Sequence, residues 1–561
     1  MMIKIKQEVV DSDVLVVGGG IAGLMAAIAA ADSGAKVVLA DKGDTRRSGS
    51  GATGNDHFTC YIPEYHQCTV EEYLVEHNMS LVGGNADPKI QAIFAERSFE
   101  VVKDWHTWGI DMQPHGEWEF NGHAYPGRRR IFLKYNGYNQ KKVLTDEALK
   151  RGVQIENKTP VIEFITDRSQ KIIGAVGLDI SESEPSLVLF RTKTIISATG
   201  NTSRLYPSIT PTKLFNTAHC PANAGGGRAA AYRVGARLIN LEIPNTHAGP
   251  KYFERCGKAT WIGILNDPDG KPVGPFVTKP TRELGDITAD VWHSVFTDKM
   301  QNGTGPVYMD CSETSPEDME YMMWGLECEG DTSLLDAMEH EGIDLARHKV
   351  EFTRYEPILI GRGIEIDEQA ATNVSGLYAA GDEVGNFRAD ISGAAVMGRI
   401  AGENAARYAQ TSTLTNDRLV DNCTVVEKIA FCSALLSREA GEPWQDLNAA
   451  IQQIMNDYAG VTFVRSEKLL TTALIYLDQL EQKAKTSIGV KTSHELMRAL
   501  ECFDLLQIGR LICITARERK ETRGLHKRSD YTFTNPLLNG KFLTIAEAAG
   551  ETQLNWREQI K

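Results

Sequence analysis

The chain contains 561 residues, which exceeds the size of a single hydrophobic core and predicts about two to four domains. Its hydrophobic fraction of 42% and charged fraction of 24% are typical of a soluble globular protein, and its net charge of −14 without a basic tract argues against nucleic acids and anionic membranes as ligands. No apolar run reaches the ~18 residues of a membrane span, and the N-terminus lacks the apolar core of a signal peptide, so we expect a cytoplasmic protein.

The ten cysteines are scattered along the chain and form no CxxC or CxxxC pair. The nearest neighbours are Cys60 with Cys68 and Cys423 with Cys432. Buried, reduced thiols are therefore favoured, and we expect neither an iron–sulfur cluster nor another metal site in this chain.

Residues 13–41 predict a dinucleotide site, because a short apolar strand, a glycine turn, an Ala-rich helix and a second strand follow one another. Gly18 permits the tight turn, Gly20 lets the backbone approach a pyrophosphate, and Gly23 lets the helix pack against the strand. Asp41, at the end of the second strand, can accept hydrogen bonds from an adenosine ribose. A glycine turn that binds no nucleotide is the alternative.

Residues 43–58 form a loop of small and polar side chains directly after this acid. Such a loop can lie flat against a planar ligand, because small side chains let backbone N–H groups come close. A flexible surface loop is the alternative. Farther along, helical spacing extends over residues 69–108 and 143–150, and strand-like segments between residues 153 and 197 end in an ATG turn at 198–200.

The composition then divides the chain. Residues 241–353 are richer in Pro, Gly, Trp and acids and predict a capping domain inserted into a nucleotide domain formed by residues 1–240 and 354–415. Within the second part, a helix is predicted to start at Ser392 and to run to about Tyr408. Residues 416–561 predict a C-terminal helical domain with an extended tail, in which Thr492 and Glu495 predict a capping box.

Five motifs in fixed order resemble the succinate dehydrogenase/fumarate reductase flavoprotein family. They are the GGGIAG turn, the Ser/Gly-rich loop after DK, the ATG turn, GLYAAGDEVG at 376–385 and ETRGLHKRSDY at 521–531. The resemblance covers nearly the whole chain. Within the family, GPVYMD, ISGAAVMGRIAGENAARY and HELMRALE are most similar to the alpha subunit of adenylylsulfate reductase.

The resemblance implies an α/β fold: a Rossmann-like FAD-binding domain (GR2-type) with an inserted α+β capping domain and a C-terminal helical domain. It also implies one FAD, with the pyrophosphate on the glycine turn, the flavin ring beside the loop after Ser48 and the ribityl chain at Asp382. The N-terminus of the Ser392 helix would face the flavin. The implied cofactor contacts are Gly18, Gly20, Ile21, Ala22, Gly23, Asp41, Lys42, Ser48, Gly51, Ala52, Thr53, Gly54, Ala198, Thr199, Gly200, Gly381, Asp382, Ser392, Gly393 and Ala394.

Departures from the family pattern change the expected chemistry. Gly49 stands where respiratory members carry the histidine that bonds to FAD, so we expect non-covalent FAD. The two arginines of the fumarate reducers are replaced by ATWIG (259–263) and DISGA (390–394), which argues against the usual proton shuttle. The substrate-facing histidine and arginine of adenylylsulfate reductases align with Arg388 and near Gly249. These departures imply that the substrate has changed.

Four residues are candidates for catalysis near the flavin. Arg388 could bind a carboxylate, sulfonate or phosphate bidentately, with a solvated surface arginine as the alternative. His247, in NTHAG, lies where related sequences place a substrate-facing histidine, with a structural histidine as the alternative. Asp56 and His57 follow the ring-facing loop and could act as acid and base, with an ordinary loop pair as the alternative.

The cap, and the segment that leads from it back to the nucleotide domain, contain further candidates for substrate contact or proton transfer. One residue of the segment containing Lys251, Tyr252, Arg255 and Trp261 could replace the missing proton donor, with Arg255 preferred and Trp261 favouring packing. Arg354 and Arg362 flank EPILIGRG and could contact substrate, although charged residues at a hinge are usually solvated.

The leading hypothesis is the flavoprotein (alpha) subunit of an FAD-dependent oxidoreductase within a hetero-oligomer. It would transfer two electrons or a hydride at flavin N5 to or from a small anionic substrate and exchange electrons with a ferredoxin-like iron–sulfur subunit. The alternatives are an adenylylsulfate reductase alpha subunit proper, a flavin electron relay without its own substrate, and an oxygen-using amine or amino-acid oxidase.

Overall fold

A computed structural model describes residues 5–79, 84–121, 128–208, 214, 217–251, 261–275, 277, 279–284, 288, 292, 294–415, 418–461, 464–548 and 550–561. Within these ranges, every helix is too short or too polar to cross a membrane.

The strands alternate with helices in the first half of the chain and are sparse in the second. In chain order they are β1 (Lys6–Val17), β2 (Val37–Ala40), β3 (His57–Thr59), β4 (Phe132–Lys134), β5 (Gln154–Glu156), β6 (Val161–Thr166), β7 (Ile172–Asp179), β8 (Ser186–Ser197), β9 (Leu238–Ile239), β10 (Ala248–Pro250), β11 (Ile264–Asn266), β12 (Val307–Asp310), β13 (Val350–Arg354), β14 (Gly363–Ile364), β15 (Leu377–Ala379), β16 (Lys541–Ala548) and β17 (Glu551–Glu558).

The helices include a mostly apolar first helix and a C-terminal bundle. In chain order they are α1 (Ile21–Asp32), α2 (Pro63–His66), α3 (Val70–His77), α4 (Pro88–Trp108), α5 (Gln140–Lys150), α6 (Gly226–Arg233), α7 (Val295–Gln301), α8 (Pro316–Cys328), α9 (Thr332–Glu341), α10 (Asp390–Thr411), α11 (Cys423–Leu436), α12 (Trp444–Ala459), α13 (Glu467–Ser487) and α14 (Ser493–Glu518).

The central sheet has seven strands in the order β5-β2-β1-β8-β7-β6, and β15 pairs in parallel with the end of β8. The register sets the carboxyl ends of four parallel strands level, because Val17 pairs with both Ala40 and Ser197, and Ser197 also pairs with Ala379. Residues after these ends therefore meet at one edge of the sheet, which is where α/β proteins bind their ligands.

The cap has its own antiparallel sheet, in the order β10-β13-β12-β11, and its own apolar core, in which the ring of Trp261 packs edge-on against Phe352. Its first and last strands are neighbours, since Ala248 of β10 pairs with Arg354 of β13. The two connections between the cap and the nucleotide fold therefore lie side by side, as a hinge requires.

The C-terminal part is helical, as predicted, but its tail is more regular than expected. Strands β16 and β17 form a hairpin that joins β9 and β14 in a four-stranded sheet. The side chains from Phe542 to Ile545 are buried there, so pairing with β9 in the nucleotide fold orders a segment whose sequence is only weakly patterned.

Three predicted helix features differ in detail. The helical stretch predicted over 69–108 is broken between α3 and α4, and the helix predicted from Ser392 begins at Asp390 and extends to Thr411. Thr492 caps α14 by accepting from Glu495 N, but the Glu495 carboxylate accepts from Lys491 N and so does not complete the predicted box.

Candidate active site

A cavity of about 800 Å³ lies at the level strand ends, between the nucleotide fold and the cap. Its wall is built by the glycine turn after β1, the loop after β2, the turns after β8 and β15, the start of α10 and both connections to the cap. Gly524 and Leu525 of the C-terminal tail complete it. A cavity of this volume, lined by the nucleotide fold, the connections to the cap and the C-terminal tail, is large enough for a cofactor.

The glycine turn leaves room and donors for an anion. Gly20 precedes α1 without any side-chain cap, so the first N–H groups of the helix remain available to a ligand. A Cβ added to Gly20 would meet no atom within 4 Å, whereas one added to Gly23 would lie 1.8 Å from the carbonyl oxygen of Gly18. Gly20 thus faces open space, and Gly23 lets the helix approach the turn.

Asp41 is fixed at the end of β2. Its Oδ2 accepts from Gly19 N at 2.6 Å and its Oδ1 from Gly43 N at 2.8 Å. Each oxygen keeps a second lone pair with which it can accept from a ribose hydroxyl.

Two lysines hold the same region. Lys42 lines the cavity, but its ammonium donates to Ala222 O and to the Glu501 carboxylate, both at 2.7 Å, and thereby ties the site to α14. Lys141, which sequence reasoning missed, is buried in α5 and donates to Gly19 O. Burial lowers the pKa of Lys141 to about 8, although Asp41 and Asp44 favour its charged form.

The loop after β2 lines the cavity. The loop residues in the wall are Ser48, Gly49, Ser50, Gly51, Ala52, Thr53, Gly54 and Asn55. Gly49 has a φ of +86°, and a Cβ there would lie 3.2 Å from Gly20 Cα. Position 49 therefore offers no side-chain atom for attachment, and its left-handed backbone disfavours any residue with a side chain.

The turns after β8 and β15 form the opposite wall. Ala198, Thr199, Gly200, Gly381 and Asp382 all line the cavity. Burial and the nearby Asp390 carboxylate raise the pKa of Asp382 to about 6.

The start of α10 corrects one prediction. Ser392 and Gly393 are buried in the first turn and do not line the cavity, since the Ser392 hydroxyl donates to Ala389 O at 2.6 Å. Asp390, Ile391 and Ala394 line it instead, because the helix begins two residues earlier than predicted.

Asp390 is an acid that sequence reasoning did not weigh, although the DISGA segment displayed it. It pairs with Arg388, whose Nε lies 2.8 Å from Asp390 Oδ1. Burial would raise the pKa of Asp390, but the Arg388 guanidinium outweighs it and holds this pKa well below its usual range. Arg388 lines the cavity, and Asp390 already offsets its charge.

His57 lines the cavity, whereas Asp56 lies behind it. Asp56 is fully buried, with Oδ1 2.6 Å from Nδ1 of His57 and Oδ2 2.6 Å from Nζ of Lys134. Burial would raise the pKa of Asp56, but Lys134 and His57 hold it well below its usual range. Lys134 lies on β4, which pairs with the strand of His57. Its contact with Asp56 follows from that strand pairing and could not be predicted from the sequence.

Glu329 is a residue of the cap that lies beside His57. Its carboxylate lies 3.9 Å from Nδ1 of His57 and lines the cavity. Ligand atoms of Asp56, His57 and Glu329 lie within 4.8 Å of one another, but the ammonium of Lys134 on Asp56 disfavours a cation there.

The hinge supplies the remaining candidates. His247 lines the cavity with its ring 5.1 Å from that of His219, and its carbonyl accepts from Tyr355 N at 2.8 Å. Arg354 and Arg362 also line the cavity. Arg255 and Tyr252 lie outside the described residues, and Trp261 is buried in the cap core, away from the cavity wall.

The parallel strands of the sheet end beside a glycine turn, an uncapped helix and the acid Asp41, and a cap faces them across the cavity. These features together are those of a flavin-dependent oxidoreductase. The residues fit FAD, since the turn leaves Gly20 open and the helix N-terminus offers backbone donors.

Comparison with known families agrees. The profile described as "FAD binding domain" matches residues 13–394, and the profile described as "Fumarate reductase flavoprotein C-term" matches residues 448–558. The chain belongs to the fumarate reductase flavoprotein family of FAD-dependent oxidoreductases, which confirms the predicted family, fold class and cofactor.

Its relatives are distant but cover the whole length. A fumarate reductase (CoM/CoB) subunit of Methanothermobacter marburgensis is 25% identical over 95% of this chain and 96% of its own. The fumarate reductase flavoprotein subunit of Escherichia coli is 23% identical over 93% of this chain and 88% of its own. The structure of adenylylsulfate reductase from Archaeoglobus fulgidus superimposes with a TM-score of 0.85 at 22% identity, covering 99% of this chain and 96% of that one.

Proposed function

We propose that this chain is the flavoprotein (alpha) subunit of an enzyme that moves two electrons to or from a small anionic substrate. The observation that carries the proposal is the convergence of Arg354, Arg362 and Arg388 on the cavity wall at the hinge. Only Arg388 has a carboxylate partner among the described residues. An excess of guanidinium groups beside a cofactor cavity favours a carboxylate, sulfonate or phosphate as the ligand.

His57 is proposed as the group that exchanges a proton with the substrate. Its Nδ1 is committed to Asp56, so proton exchange would occur at Nε2, as in other histidines oriented by a carboxylate. Asp56 is then a positioning residue, and Lys134 keeps it ionised. This assignment supplies an acid or base where the chain lacks the family's proton-delivering arginine.

FAD supplies the two-electron chemistry when bound. We propose that it is held without a covalent bond, because Gly49 offers no attachment atom. The proposed contacts are those named from the sequence, with two changes: Ser392 and Gly393 are replaced by Asp390 and Ile391, and Gly23, which packs the helix against the turn, is left out. The cap over residues 241–353 is proposed to close over the substrate.

The electron partner is proposed to be a ferredoxin-like iron–sulfur subunit. Two observations support it: both fumarate reductase relatives are named as subunits of larger enzymes, and the described cysteines are not grouped as cluster ligands.

The proposal is tested by reoxidation of the photoreduced holoprotein under anaerobic conditions. Enoates, sulfonated compounds and adenylylsulfate are screened by recovery of flavin absorbance, each beside its uncharged ester or amide. We expect an anionic compound to restore the absorbance and its uncharged analogue to fail. If no small molecule reoxidises the flavin while a co-purified iron–sulfur protein does, the chain is an electron relay.

A further inference from the structure

We propose that Arg354 is the residue that binds the anionic group of the substrate, with Arg388 in a secondary role. This inference rests on the proposed function and names the contact that selects the substrate.

Arg354 lies on the cavity wall at the hinge between the cap and the nucleotide fold. It is the last residue of β13, paired with Ala248 of β10 at the hinge, and its side chain lines the cavity. The next residue, Tyr355, donates its N–H to the carbonyl of His247, so the backbone that carries Arg354 is held firmly.

Arg354 differs in its partners from Arg362 and Arg388, the other two arginines at the hinge. Among the described residues its guanidinium makes neither a hydrogen bond nor an ion pair. Arg362 donates to the carbonyl oxygens of Ile243 and Gly361, and Arg388 donates to Asp390. Within the described residues, Arg354 is thus the one of the three hinge arginines whose side-chain donors make no hydrogen bond or ion pair with the protein.

An uncompensated guanidinium at a largely dehydrated position is unfavourable. Burial lowers the pKa of Arg354, and the more distant Asp298 of α7 offsets this only in part. Because desolvation of a charge without a partner is costly, a residue kept in this state at a cavity wall is better explained by a ligand than by packing.

The donor geometry defines the ligand class. A guanidinium presents two parallel N–H groups that match two oxygens on one atom, as in a carboxylate, sulfonate or phosphate. Arg388 is the weaker candidate because Asp390 already occupies its Nε and, at 3.4 Å, one of its terminal nitrogens.

The test titrates the FAD-loaded protein with acetate, methanesulfonate and inorganic phosphate at constant ionic strength, followed by the flavin difference spectrum. We expect the wild type to bind one of these anions, which identifies the group. Arg354→Gln should weaken this binding about 10- to 100-fold. Arg354→Lys keeps the charge but loses the paired N–H donors, so its anion affinity should lie between those of the wild type and Arg354→Gln.

Arg347→Gln is the matched control, because it removes the same charge from an exposed site on the same cap. It should bind the anion as the wild type does. The Tm of Arg354→Gln should equal or exceed that of the wild type, since no contact within the described protein is lost.

Undiminished anion binding by Arg354→Gln overturns the inference, as does a lowered Tm, or a wild type that binds none of the three anions. If Arg354→Gln binds anions normally while an anionic compound still reoxidises the wild-type flavin, the inference fails and the proposed function stands.

Discussion

A Gly20→Ala variant is expected to fold like the wild type and yet bind FAD about 10- to 100-fold more weakly. Gly20 has a φ of −68°, which alanine adopts without strain, and a Cβ there meets no protein atom within 4 Å. The residue nevertheless lines the cavity at the uncapped start of α1. The added methyl group would therefore press on the bound pyrophosphate and on little else.

Gly23→Ala is the matched control for this result. Its Cβ would lie 1.8 Å from Gly18 O, so helix and turn must separate and the apoprotein should lose stability. The Tm of each apoprotein and its FAD affinity, from fluorescence titration, distinguish the two effects. If Gly20→Ala binds FAD as tightly as the wild type, the cofactor does not lie on this turn.

The second large effect is expected for His57→Gln, which should slow flavin reoxidation by the substrate about 100- to 10,000-fold. Glutamine keeps a polar side chain at the cavity wall but cannot exchange a proton. Electron uptake from a one-electron dye should be unchanged, because that step needs no proton from the protein. Stopped-flow absorbance with the oxidant found in the screen measures both rates.

His340→Gln is the control, because His340 is a largely exposed histidine on the cap. Asp56→Asn is less informative, since it leaves Lys134 without its buried counter-charge and should destabilise the fold by about 3–5 kcal/mol. A His57→Gln enzyme that keeps the wild-type rate would remove His57 from the proton transfer and return attention to the cap segment.

The sequence predicts the nucleotide half well because its signals are local. The strand, glycine turn, helix and acid of residues 13–41 follow one another along the chain. Their roles can therefore be predicted without knowing which distant segments they contact. The loop around Ser48 and the ATG turn are also recognisable from short stretches of sequence. The resemblance to a family then predicts that these segments surround one cofactor.

The rest depends on contacts that the sequence does not display. Lys134 reaches Asp56 across 78 positions through pairing of β3 and β4, and Glu329 arrives from the cap. Helix α10 begins at Asp390, which has a φ of +45° and accepts from Arg388, and the sequence shows neither feature. The division of the chain at 240, 353 and 415 stays a prediction, as do the catalytic roles.

The proposed chemistry requires FAD held in this cavity by non-covalent contacts alone. Acid precipitation of the purified protein tests that most directly, through FAD measured in the supernatant and the pellet. We predict about one FAD per chain in the supernatant and a colourless pellet. A pellet that stays yellow, or a purified chain that takes up no FAD, would contradict this central claim.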